Sequence, residues 1–170
     1  MTAVEPPSSL EEQANQFADD LTATVKTLVP GCDRFEAAVL TDEQGRGRIS
    51  IRQSPDTGVP LKVDGEPLLT LTVLMFLSWD APGQYPAVDN SEFKVWQGAK
   101  AKGEPLFRYE YERWPNPDKP GAHLQVHGHR DAITHVMSRA GTGTRRGRRR
   151  AESDAVPRMS ELHFPLGGPR

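Results

Sequence analysis

The sequence predicts an α+β protein, with an N-terminal amphipathic helix packed on an antiparallel sheet of about six or seven strands and a short helix after a histidine-rich strand. Three observations predict it. Apolar residues recur at three- and four-residue intervals before Pro30-Gly31, the period changes to two from Arg34 onward, and glycine, proline and aspartate turns separate the short extended segments that follow.

The helix begins after Pro6-Pro7, with Ser8 or Ser9 as its cap and Glu11 and Glu12 at the positive end of its dipole. Leu10, Ala14, Phe17, Leu21, Val25 and Leu28 form its apolar stripe. Strands follow near Phe35 to Thr41, Arg48 to Gln53 and Val59 to Val63, and Asp64-Gly65 is a favoured type I′ turn pair. The run Leu68 to Trp79 places Leu69, Leu71, Val73, Met75 and Leu77 on one side and Leu74 and Phe76 on the other, which predicts the centre of the sheet. A short strand fits Phe93 to Gln97.

Two further strands alternate cleanly. Phe107, Tyr109 and Tyr111 oppose Arg108, Glu110 and Glu112, whereas Leu124 and Val126 oppose His123, Gln125, His127 and His129. Pairing them symmetrically across the proline-rich loop Trp114 to Gly121 sets Glu112 beside His123, Glu110 beside Gln125 and Arg108 beside His127. Asp131 then caps a helix over Ala132 to Arg139, and Leu162 to Leu166 suits a last edge strand.

A chain of 170 residues fits one domain and can bury about 70% of its unfolded surface without disulfides. Residues 1–140 read as a single α+β domain, 141–158 as a flexible arginine-rich loop and 159–170 as a C-terminal edge segment of the same domain. Cys32 is the only cysteine, which excludes an intramolecular disulfide and a cysteine-rich zinc site and points to a reducing cytoplasm. Met1 to Pro7 lacks the basic start and apolar run of a signal peptide, and the apolar stretch near Leu68 to Leu77 is too short for a bilayer, so no membrane is expected.

Charge is distributed unevenly along the chain. Residues 1–45 hold nine acidic side chains against Lys26 and Arg34, whereas Arg145-Arg146-Gly147-Arg148-Arg149-Arg150 is purely basic and would attract a nucleic acid in a salt-dependent way. As a tether, the same run needs no ligand at all.

The polar face of the last two strands is the main candidate for chemistry, and it admits three readings. It suits plain solvation; it also supplies carboxylate, imidazole and guanidinium, the set that metal-independent phosphodiester cleavage requires. In that second reading Glu110 or Glu112 and His127 are the catalytic acid and base, and Arg108 and Arg130 hold phosphate. The third is a metal site on His127 and His129, which share a face at i and i+2, although this spacing alone is a weak signal. The second reading calls for no cofactor. Trp79, Tyr85, Trp96, Phe107, Tyr109, Tyr111 and Trp114 read mostly as core or sheet-flanking aromatics, and a base-stacking platform is the sharper alternative.

The blocks Phe107-Arg108-Tyr109-Glu110-Tyr111, Ala122 to Arg130 and Leu162 to Gly168 resemble the signature blocks of a family of small actinobacterial proteins with no assigned activity. More distantly, an arginine–tyrosine–acidic strand followed by a histidine-rich strand is similar to TumE-type toxins of toxin–antitoxin pairs. This chain departs from them in histidine spacing and in its arginine-rich insertion. The resemblance implies a toxin or defence role with a cognate protein partner, and a further helix beyond Gly168, before which this chain stops. A non-enzymatic interaction or immunity protein that binds its partner through the acidic first helix is the alternative.

Overall fold

Helix α1 (Leu10–Leu28) starts at a capping box, in which the Glu12 amide donates to Ser9 Oγ at 3.1 Å and the Ser9 amide donates to Glu12 Oε2 at 2.7 Å. In this computed structural model the described residues are 9–41, 47–117, 120–127, 130–139 and 141–152. The buried line of α1 runs through Ala14, Ala18 and Thr22, with Leu10, Leu21 and Val25 packed beside it. Phe17 and Leu28, expected in the stripe, are exposed. Small side chains along the midline let the helix approach the sheet closely, while the larger ones fill the grooves to either side. Thr22 Oγ1 donates to the Ala18 carbonyl at 2.8 Å and accepts the Phe35 amide at 2.9 Å, which ties the helix to the first strand.

Seven strands follow: β1 (Arg34–Thr41), β2 (Gly47–Ser54), β3 (Val59–Val63), β4 (Glu66–Trp79), β5 (Pro86–Gln97), β6 (Phe107–Glu112) and β7 (Ala122–Val126). They form one antiparallel sheet in the order β1-β2-β4-β5-β6-β7, with β3 also paired to β4. The long β4 is the centre that its double-sided apolar pattern predicts: β3 takes its first half and β2 its second. Asp64 and Gly65 both have positive φ, 52° and 84°, as a type I′ turn demands.

β5 is longer than Phe93 to Gln97 because β4 offers a fourteen-residue template. Asn90 and Ser91 pair with Phe76 and Met75, and Asp89, a poor strand former, is the extra residue of the bulge opposite Phe76/Leu77.

The main core lies between α1 and the sheet, where Phe35, Ile49, Ile51, Val73, Met75 and Leu77 meet Ala14 and Ala18. A smaller cluster forms where Ile133 and Met137 of α2 (Arg130–Arg139) cover Leu106. Asp131 thus sits in the first turn of α2 rather than before it.

The arginine segment differs from the expected loop, since Arg145–Glu152 is a helix, α3, packed against α2. Thr144 caps it, with Oγ1 accepting the Gly147 amide at 3.0 Å. Arginine is a good helix former even where no apolar face exists, although its positive charge opposes the dipole at this N-terminus. The expected strand Leu162 to Leu166 lies outside the described residues. No helix among the described residues is long and apolar enough to cross a membrane.

Candidate functional site

The register of β6 and β7 decides which polar side chains meet. Glu110 lies opposite His123 and Arg108 opposite Gln125, two residues away from the symmetric pairing expected. The loop closes asymmetrically: the Glu112 amide donates to the Gly121 carbonyl, so Pro120 stays out of the ladder. A two-residue shift leaves the faces unchanged but replaces every partner.

One row across the sheet therefore reads Glu36, Arg52, Leu74, Glu92, Glu110 and His123, from β1 to β7. The next reads Thr72, Lys94, Arg108 and Gln125. On β5 and β6 carboxylates occupy the first row and cations the second. Contacts tie the rows together, with Lys94 Nζ 2.7 Å from Glu92 and Arg108 Nη1 3.5 Å from Glu110.

His123 Nε2 lies 2.9 Å from Glu110 Oε2, and its Nδ1 lies 3.3 Å from the Pro120 carbonyl. Arg108 Nε donates to Gln125 Oε1 at 2.7 Å, and the same oxygen meets His127 Nε2 at 3.1 Å. His127 Nδ1 lies 3.5 Å from Glu104. Arg108 is thus held between two imidazole–carboxylate pairs, Glu110–His123 on one side and Glu104–His127 on the other.

The burial of this strand pair is inverted. On the polar face the His123 and Glu110 side chains are only 20% and 25% exposed. On the apolar face Tyr109, Leu124 and Val126 are 40%, 38% and 45% exposed. Polar groups sheltered from solvent interact more strongly with a ligand than the same groups on an open surface.

Beside the pairs, an open cleft of about 310 Å³ is lined by Arg52, Asp56, Thr72, Glu92, Lys94 and Trp96. The Trp96 indole N–H donates to Thr72 Oγ1 at 3.2 Å and fixes that wall.

Of the residues singled out from sequence, the structure brings together Arg108, Glu110 and His127, the last through Gln125. Glu112 does not join them; it stands one row further along β6, opposite Asn90. Gly128, His129 and the side chains of Arg130, Arg146 and Arg150 lie outside the described residues. Arg145, Arg148 and Arg149 belong to α3 and are not part of this cluster. Among the described residues no three His, Cys, Asp or Glu side chains gather as metal ligands.

Sequence reasoning missed Glu92, Lys94 and Glu104. The first two alternate with Phe93 and Val95, a signal visible in Glu92-Phe93-Lys94-Val95. Glu104 precedes β6 in a loop, where no periodicity marks it. No protein-family model matches this chain, and neither a curated protein nor a solved structure matches it.

Proposed function

We propose that this protein is an RNA- or nucleotide-directed protein of toxin or defence type that cleaves phosphodiesters without a metal, using the polar face of β5, β6 and β7. The observation that carries the reading is Arg108 flanked by Glu110–His123 and Glu104–His127. His123 on β7 and His127, the residue that follows the strand, are four residues apart, about 13 Å along an extended backbone, which leaves room for a phosphate between them. Arg108 holds that phosphate and offsets the charge that builds on its oxygens in the transition state. One imidazole–carboxylate pair takes the proton from the ribose 2′-hydroxyl as it attacks phosphorus. The other delivers a proton to the departing 5′-oxygen. Both ring nitrogens of His123 face oxygens, and so do both of His127, so the two pairs are alike in geometry. The arginines of α3 add sequence-independent attraction for the polyanion.

The test is incubation of the purified protein with total RNA, with and without a chelator. Chelator-insensitive cleavage is expected, and it should disappear in His123→Ala and in His127→Ala while both variants keep the parent circular dichroism. Intact RNA with the parent protein overturns the proposal, as does full activity in either variant.

The exposed carboxylates Glu11, Glu12, Asp19 and Asp20 on α1 favour a second reading, a non-enzymatic protein that binds a partner through that helix. Glu12 also serves the helix cap, so Asp19→Lys is the cleaner probe. In the second reading Asp19→Lys abolishes partner capture and His127→Ala does not.

A further inference from the structure

Strand β7 ends the sheet, and among the described residues nothing pairs with its outer edge. The bonds from the Glu112 amide to the Gly121 carbonyl and from the His127 amide to the Leu106 carbonyl fix its parity. Odd-numbered residues of β7 bond to β6; the amides and carbonyls of Ala122, Leu124 and Val126 point away from the sheet. Their side chains form the exposed apolar face, with Tyr109 directly behind Leu124. The opposite edge is guarded by the charged pair Arg34–Glu36 on β1, a common device against edge pairing. Ala122-His123-Leu124-Gln125-Val126 has no carboxylate, lysine or proline.

We propose that a second copy of this chain adds to this edge, β7 against β7, antiparallel about a two-fold axis at Leu124. Only this register overlaps all five residues and also keeps the outward groups in closely spaced pairs: Ala122 with the partner's Val126, and Leu124 with the partner's Leu124. On the apolar face the two Leu124 side chains meet at the axis, flanked by Tyr109 from each copy. On the polar face His123 lies opposite the partner's Gln125. The acidic row Glu92, Glu110, His123 thereby runs on into the basic row Gln125, Arg108, Lys94 of the second copy, and the reverse holds across the axis. Shifting the copies to centre on His123 would set acidic row against acidic row, as well as shortening the overlap. Strand parity and overlap set this register, and the rows then meet opposite in sign rather than like with like, which favours a second copy as the partner. A second copy also extends the polar face beyond one chain, with a second Arg108 two strands away from His123. The pairing does not rest on the proposed chemistry and stands if that chemistry fails.

The experiment uses the full chain. Sedimentation equilibrium over a hundredfold concentration range should show a reversible shift from 18.8 kDa towards twice that mass. With a short bis-maleimide, Leu124→Cys should give a covalent dimer, because the hydrogen-bonded pair at the axis holds its Cα atoms about 5.5 Å apart, within the linker's span. Val126→Cys, which faces the partner's Ala122, should cross-link at least tenfold more slowly. The unsubstituted chain, whose Cys32 is buried, is the control. A single mass of 18.8 kDa at every concentration overturns the proposal, whether the edge is bare or covered by the chain's own remaining residues. Equal cross-linking of the two variants overturns the register, and with it the two-fold pairing.

Discussion

The two ends of the sheet use the same alternating pattern to opposite effect. Beneath α1, on β1, β2 and β4, the apolar faces are closed off: Phe35 is 1% exposed and Ile51 is fully buried. At the β6–β7 pair Tyr109, Leu124 and Val126 stand open on the apolar face, while Glu110 and His123 are sheltered on the polar one. Alternation therefore fixes which residues share a face, but what packs on each face decides which one is hidden. The first end holds the fold together; the second is free to bind.

The sharpest way to break this division is to compare one deletion from each end. Phe35→Ala should cost about 3–5 kcal/mol, whereas Leu124→Ala should cost less than about 1 kcal/mol. Chemical denaturation measures both, and equal losses would erase the distinction.

Arg108→Ala probes the open end from the other side. It should leave the denaturation midpoint nearly unchanged, yet lower RNA cleavage about 10²–10³-fold, the usual loss when a donor to developing charge is removed. A folded variant with parental cleavage would take Arg108 out of the chemistry.

Thr22→Val sharpens the closed end. It removes the acceptor for the Phe35 amide while keeping the side-chain shape, and should cost about 1–3 kcal/mol for a buried amide left unpaired. Thermal melts of the variant and the parent suffice to measure it.

The smallest effect expected is at Asp80, in the turn between β4 and β5. Donation from the Gln84 amide at 2.8 Å, then from that of Tyr85 at 3.2 Å, holds its carboxyl pKa below the ordinary 3.8. A folded pKa below the unfolded one contributes stability at neutral pH that is lost as the pH falls from 3.8 through the folded value. Asp80→Asn should therefore be slightly less stable than the parent at neutral pH and converge with it in acid. A difference that is constant with pH would assign the effect to something other than the carboxylate.

Much of the fold was legible because it rests on short-range rules. The cap of α1, the Asp64-Gly65 turn and the alternation of β4 and β6 are written in adjacent residues. The register of β6 and β7 was not, because the loop between them closes on Gly121 and no periodic signal locates that closure. The same slip concealed the site: pairing Glu110 with Gln125 hides the Glu110–His123 contact that the folded chain makes. α3 was missed because its stability comes from helix propensity and the Thr144 cap, not from an apolar stripe.

The parity of β7 also has a consequence in time. His123 and Gln125 direct their amides into the ladder with β6, while Ala122, Leu124 and Val126 direct theirs outward. In a lone chain, hydrogen–deuterium exchange along this strand should alternate residue by residue, with fast and slow neighbours separated by the protection the ladder gives. Association through the edge would slow the even-numbered amides alone, so exchange rates at five consecutive residues record both the fold of one chain and the arrival of another.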